Sequence, residues 1–134
     1  MSPAMLTLSL LRDTLAICRL DGRALVPNWA EGSSFLSLTR TADELSLVCS
    51  RAVVPEGVTG EAGWRCLRVA GPLGFGLTGI LASLAVPLAA AGVSLFAIST
   101  YDTDYLLVRE ADLERAVQAL RGAGHEVNAN AAQC

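Results

Sequence analysis

The chain has 134 residues, of which 52% are hydrophobic and 17% are charged, and its formal net charge is -3. This composition excludes an intrinsically disordered chain, and the absence of a Lys/Arg cluster argues against a nucleic-acid partner. No basic segment followed by a long apolar run marks a secretory signal, so we expect a cytoplasmic protein with reduced thiols.

Short strands are predicted throughout the first half of the chain. Thr7–Leu11 and Leu15–Leu20 are rich in aliphatic and β-branched residues. Phe35–Thr39 and Leu45–Ser50 flank the turn sequence RTADE, which predicts a hairpin. The intervening segment RALVPNWAEGSS is compatible with either a short helix or a loop.

A linker is predicted at VPEGVTGEAG, residues 54–63, because Pro, Gly and acidic residues occur there without periodicity. We therefore expect an N-terminal unit over residues 1–61 and a C-terminal unit over residues 62–134. The strand-rich pattern of the first unit indicates a degenerate copy of the second.

The second unit begins with a predicted strand at Trp64–Ala70, followed by a glycine-rich loop at Gly71–Gly76. A helix follows, with Thr78 as its N-cap, a bend at Pro87 and an end at Gly92. Its predicted apolar face consists of Leu77, Ile80, Leu81, Leu84 and Leu88.

Two further strands, Val93–Thr100 and Tyr105–Arg109, flank the sequence YDTD. Asp112 is the predicted cap of a second helix, and His125–Asn128 is the last strand. The inner face of that helix is predicted to be Leu113, Ala116, Val117 and Leu120. This order predicts an α+β fold of two ferredoxin-like (βαββαβ) units in tandem, with antiparallel sheets and helices on one face.

The glycine-rich loop contains a G-x-G-x-x-G pattern at Gly74, Gly76 and Gly79, which is typical of dinucleotide-binding folds. Asp102 lies where such a fold carries its ribose-binding acid. However, the chain turns directly from one strand into Tyr105–Arg109 and leaves too little sequence for a parallel sheet. The loop is therefore either a tight turn or a place where a carboxylate or phosphate approaches backbone N–H groups.

No charged side chain occurs between Val69 and Tyr101. A membrane span is one interpretation, but repeated Gly and Pro residues leave no uninterrupted apolar helix of about 20 residues. We expect no membrane association. The apolar run instead predicts a homodimer, because a chain this short has little interior to hide such a surface.

The sequence offers little catalytic chemistry. His125 is the only histidine, and we expect it to be a solvated surface residue. Neither a metal-ligand cluster nor a nucleophile motif occurs, so we expect neither an enzyme nor a cofactor. Cys18 and Cys49 are expected to fill buried strand positions, and Cys134 to lie on a loose tail.

The segment GILASLAVPLAAAGVSLFAISTYDTDYLLVREADLERAVQAL resembles the amino-acid-binding ACT domain. Among ACT proteins, the similarity is to the CASTOR type of cytosolic arginine sensor and its bacterial relatives. FLSLTRTADELSLVCS in the first half resembles the preceding part of those sensors. The resemblance implies tandem ACT units that hold a regulatory amino acid between two units, and a dimer of this chain to supply enough of them.

The resemblance also implies a set of ligand-binding residues. One unit would contribute Ser94 and Leu95. The partner unit would contribute its turn and a glycine of its loop, here Thr100, Tyr101, Thr103, Asp104 and either Gly76 or Gly79. Asp104 is the candidate for an ammonium or cationic side chain, whereas Asp102 is predicted to be a turn former. Because Thr103 stands where the sensors carry an aromatic residue, the amino acid itself is left open.

Two functions follow from these expectations. The first is a regulatory protein that binds a free amino acid between ACT units and acts through oligomer contacts or an unidentified protein target. The second is an ACT-like scaffold for protein association that binds no ligand.

Overall fold

A computed structural model describes residues 5–71 and 79–129, and the chain divides into two compact units. We call Asp13–Trp64 the inserted unit, and Met1–Arg12 together with Arg65–Cys134 the split unit. The division into these two units differs in two ways from the predicted boundary between residues 61 and 62. The boundary lies after Trp64, and the first residues of the chain belong to the second unit.

The described residues form strands, α-helices and short 3-10 helices. The strands are β1 (Thr7–Leu10), β2 (Leu15–Asp21), β3 (Leu36–Arg40), β4 (Glu44–Ser50), β5 (Gly60–Val69), β6 (Leu95–Ser99), β7 (Asp104–Arg109) and β8 (Glu126–Asn128). The α-helices are α1 (Ile80–Ala90) and α2 (Leu113–Gly122). The 3-10 helices are Asn28–Gly32, Arg51–Val53 and Glu110–Asp112.

The inserted unit is a ferredoxin-like unit in which short 3-10 helices replace the α-helices. Its sheet has the order β3-β4-β2-β5, and its neighbouring strands are antiparallel. The 3-10 helices at Asn28–Gly32 and Arg51–Val53 occupy the two crossover positions. The predicted degenerate copy and its β3–β4 hairpin are therefore confirmed. The predicted linker is shorter than expected, because β5 already begins at Gly60.

The split unit contains the predicted order strand, helix, strand, strand, helix, strand. β6 pairs with β7, β7 with β5, and β5 with β1. β1 lies between β5 and β8, antiparallel to the first and parallel to the second. The predicted α+β, ferredoxin-like class is confirmed, with one addition: an N-terminal strand enters the second sheet.

Aliphatic side chains from both helices and from the strands form the core of the split unit. Leu84 and Leu88 of α1 are fully buried, as is Leu120 of α2. Leu81 was predicted on the same face of α1 but is 40% exposed, and Leu77, also predicted there, lies outside the described residues. The strand residues of this core are Leu8, Leu10, Leu67, Val69, Leu106, Val108 and Val127.

Both α-helices end at a glycine in the left-handed conformation. Gly92 has φ +74°, and the next residue, Val93, donates its N–H to the carbonyl of Leu88 at 2.9 Å. The predicted end of α1 is thus confirmed. Asp112 was predicted to cap α2 with its side chain, but its carboxylate instead accepts a hydrogen bond from Arg115 at 2.9 Å. The predicted Thr78 cap lies outside the described residues.

Candidate functional site

The sequence YDTD forms a tight turn between β6 and β7. Ser99 and Asp104 are the last paired residues, and the Ser99 hydroxyl donates to Asp104 Oδ1 at 2.6 Å. Inside the turn, the Thr100 N–H and hydroxyl both donate to the Thr103 carbonyl, at 2.9 and 3.0 Å. The predicted antiparallel pairing across this turn is confirmed, and it rules out a crossover helix at this place.

Thr103 fixes the turn to the rest of the split unit. It is 2% exposed, and its hydroxyl donates to the carbonyl of Val69, the last residue of β5, at 2.6 Å. By contrast, Tyr101 and Asp102 are exposed at the tip of the turn, and Asp104 is half-buried. Among the predicted ligand residues, Thr103 therefore has a structural role. Asp104 is the first residue of β7, and its carboxylate is only half-buried.

Ser94 and Leu95 lie at the opposite end of β6 from the turn. Ser94 is exposed and Leu95 is half-buried. Extended chain rises 3.3–3.4 Å per residue, so Leu95 and Thr100 are separated by about 17 Å. One free amino acid cannot contact both ends of β6 in the same chain. The two predicted residue sets are therefore not brought together by the described part of the split unit.

Gly79, one of the two candidate loop glycines, has φ +76° and immediately precedes α1. It lines an open groove of about 480 Å³ on the helix layer of the split unit. The other lining residues are Ala82, Ser83, Val86, Pro87, Ala90, Ala123 and His125. This groove contains none of the residues of the turn. Gly76 and Gly74 lie outside the described residues.

His125 was predicted to be solvated, but it is 5% exposed and forms two hydrogen bonds. Its Nδ1 accepts the backbone N–H of Leu6 at 3.1 Å. A backbone N–H only donates, so Nδ1 carries no proton and the hydrogen of the neutral ring resides on Nε2. Nε2 lies 3.0 Å from the Ser83 carbonyl and donates to it. Sequence reasoning missed the role of His125. The available signal was Pro87, because a proline inside a helix leaves the carbonyl four residues earlier, here that of Ser83, without its N–H donor.

The described residues offer little else to hold a cofactor. Within residues 5–71 and 79–129, no group of three or more His, Cys, Asp or Glu side chains could bind a metal ion. In the same ranges, neither helix has the length and apolar character needed to span a membrane.

Burial raises the pKa of the Cys66 thiol, which is fully enclosed in the split unit, to about 12.

Two family models match the chain. The model described as ACT domain matches residues 59–122, which include β6, the turn and β7. A second model, described as an N-terminal domain, matches residues 13–57 and so covers most of the inserted unit.

Two proteins are similar in sequence to this chain, one over nearly its whole length and the other over less than half of it. Protein Atu0741 from Agrobacterium tumefaciens is 40% identical, with 96% of each chain covered and a TM-score of 0.90. The human cytosolic arginine sensor for mTORC1 subunit 1 is 44% identical over 59 residues, which is 43% of this chain and 18% of the sensor. The matched segment thus spans less than a fifth of that relative.

The fold is also similar to that of a regulatory protein with little sequence identity. The regulatory subunit of aspartate kinase from Thermus thermophilus is 13% identical, with 87% of this chain and 96% of that chain covered and a TM-score of 0.59. At this identity the likeness concerns the fold alone.

Proposed function

The chain belongs to the ACT-domain family, and on that premise we propose that it is a small regulatory protein that binds a free amino acid and catalyses no reaction. The observation that carries the proposal is the ACT match over residues 59–122, which contains both Ser94–Leu95 and the turn with Asp104. The name of the human relative, a cytosolic arginine sensor, supports the ligand class and a cytosolic location.

We further propose that the ligand lies between the ACT unit of one chain and that of a second copy. The separation of about 17 Å between the two ends of β6 supports a second copy, because one chain cannot bring both sets to one ligand. β6 pairs with β7 alone among the described strands, so its other edge is a place for such a copy. The ligand carboxylate would bind backbone N–H groups near Gly79 or Ser94–Leu95, and its ammonium or side chain would meet Asp104 and the Thr100–Tyr101 edge.

Calorimetric titration of the purified chain with the standard amino acids tests this function, with the oligomeric state measured by sedimentation in the same samples. We expect one amino acid to bind and the dimer to be retained or strengthened. A monomeric chain that binds an amino acid would contradict the proposed placement but not the ligand class.

A scaffold without ligand is the second candidate, and one observation favours it. Hydrogen bonds within the chain already occupy the Thr100 and Thr103 hydroxyls and one oxygen of Asp104. If no amino acid binds while the chain dimerises or captures a protein target, the scaffold is the correct function.

A further inference from the structure

Asp104, the first residue of β7, accepts a hydrogen bond from Ser99, the last residue of β6. The two residues are directly opposite each other in the antiparallel register, so their side chains project from the same face of the sheet. The Ser99 hydroxyl donates to Asp104 Oδ1 at 2.6 Å, a distance typical of a hydroxyl bonded to an ionised carboxylate. The bond therefore restricts the Asp104 side chain to one orientation at the end of the strand pair.

The Ser99 bond orients Asp104 without neutralising it. A hydroxyl is an uncharged donor, so the carboxylate keeps its negative charge. The surrounding sequence supplies no cation, because residues 69–108 contain no Lys, Arg or His and their only charged residues are Asp102 and Asp104. Asp112 shows the contrasting case, since its carboxylate forms an ion pair with Arg115 at 2.9 Å. Asp104 is thus an oriented anionic group whose charge is not compensated by its own segment of the chain.

A carboxylate held in this way keeps most of its acceptor capacity. Its two oxygens offer about four acceptor positions, and the Ser99 hydroxyl uses one of them. Asp104 is half-buried, whereas Ser99 and Tyr101 are exposed, so a ligand can reach this end of the strand pair. An ammonium group is a compact charge with three donors, and it suits a carboxylate of which one oxygen is already engaged.

We propose that Ser99 is a positioning residue of the amino-acid site, and that its hydroxyl fixes the Asp104 carboxylate for the ammonium group of the ligand. The inference rests on the proposed function, in which Asp104 meets the ligand's ammonium or side chain. Ser99 acts through Asp104 and not by touching the ligand. A carboxylate that is already fixed loses little conformational freedom when the ligand binds, so binding is tighter than it would be to a mobile side chain.

Loss of the Ser99 hydroxyl should therefore affect binding more than stability. The bond joins an exposed residue to a half-buried one, and water replaces such a bond at small cost to the folded chain. Binding to Ser99→Ala should be weakened about 2- to 12-fold, the factor that corresponds to immobilising one more side chain on binding. These two effects separate a positioning residue from one that only stabilises the hairpin.

Calorimetric titration of the wild-type chain with each standard amino acid selects the probe, and the same amino acid is then titrated into the variants. Ser99→Thr keeps the hydroxyl and should bind as the wild type does. Ser34→Ala is the matched control, because it removes a bond of the same kind, from Ser34 to Asp13 Oδ2 at 2.9 Å, in the inserted unit. It should leave the affinity unchanged. In an Asp104→Ala background, Ser99→Ala should cause no further loss, since it acts only through that carboxylate.

The ligand-free chain provides two further readouts. Scalar couplings measured by NMR report the χ1 rotamer of Asp104. A single rotamer in the wild type and rotamer averaging in Ser99→Ala would support the inference, whereas averaging already in the wild type would overturn it. Thermal unfolding of Ser99→Ala should match that of the wild type. A marked fall in its melting temperature would overturn the inference in favour of a purely structural role.

The outcomes distinguish this inference from the function on which it rests. If the wild type binds an amino acid and Ser99→Ala binds it equally well, Ser99 has no positioning role and the proposed function stands. A loss of affinity from Ser99→Ala that persists in the Asp104→Ala background would also overturn the positioning role alone. If no amino acid binds to the wild type, the proposed function fails and the positioning role fails with it.

Discussion

His125 donates its Nε2 hydrogen to the carbonyl that Pro87 leaves without a partner. In a regular α-helix the N–H of residue 87 would bond to the Ser83 carbonyl, but proline has no N–H. The His125 ring replaces that donor at 3.0 Å, and its other nitrogen accepts the Leu6 N–H. One imidazole therefore joins α1 to the residue that precedes β1.

Replacing His125 by Ala should destabilise the chain by about 2–4 kcal/mol, because the Leu6 N–H and the Ser83 carbonyl both lose their partner. Urea unfolding followed by circular dichroism measures the change. Pro87→Ala restores a donor for Ser83, so the double variant should be more stable than the sum of the two single effects predicts, by about 1 kcal/mol. Strict additivity would contradict the replacement of the helix donor by His125.

Removal of the Thr103 hydroxyl should weaken the anchor of the turn. Thr103→Val keeps the shape of the side chain but leaves the Val69 carbonyl without its donor, at a cost of about 1–3 kcal/mol. Thr103→Ser retains the hydroxyl and serves as the matched control. Thermal unfolding of both variants decides the point. A loss of stability in Thr103→Ser with none in Thr103→Val would show that the methyl group, and not the hydrogen bond, holds the turn.

The two aspartates of the turn should respond differently to an amino-acid ligand. Asp104→Ala should weaken binding about 30-fold or more, since the loss of one partner of a desolvated charge pair costs about 2–5 kcal/mol. Asp102 is exposed at the tip of the turn, so Asp102→Ala should bind as the wild type does. Calorimetry with the best ligand distinguishes them. Equal affinities in all three proteins would remove Asp104 from the proposed site.

The chain should lose stability above about pH 9 in part through Cys66. The thiol of the unfolded chain has an ordinary pKa of 9.0, whereas burial holds that of the folded chain at about 12. Stabilisation is complete below pH 9, and it declines with rising pH because the unfolded state releases its proton first. The slope from this thiol is about 1.4 kcal/mol per pH unit. Cys66→Ala should flatten the decline between pH 9 and 11 in urea titrations, and an unchanged slope would refute this origin.

Local sequence patterns predicted the elements of the split unit well. Helical spacing identified Ala116, Val117 and Leu120 as the inner face of α2, and all three are buried. Alternation around YDTD predicted the β6–β7 hairpin. The candidate ligand residues came from resemblance to ACT domains, whereas the predicted strand Val93–Thr100 already placed Leu95 and Thr100 towards opposite ends of one strand, as the structure has them.

What the sequence determined is local, because strand alternation, helical spacing and glycine ends depend on residues a few positions apart. What only the tertiary structure decided involves residues far apart in the chain. His125 is buried because Leu6, 119 positions away, and Ser83, 42 positions away, supply its partners. Cys18 and Cys49, which were predicted to be buried and are buried, lie on one face of the sheet because of the register of β2 and β4. A register shift of one residue would place these side chains on opposite faces, and no local propensity specifies which strands pair or in which register.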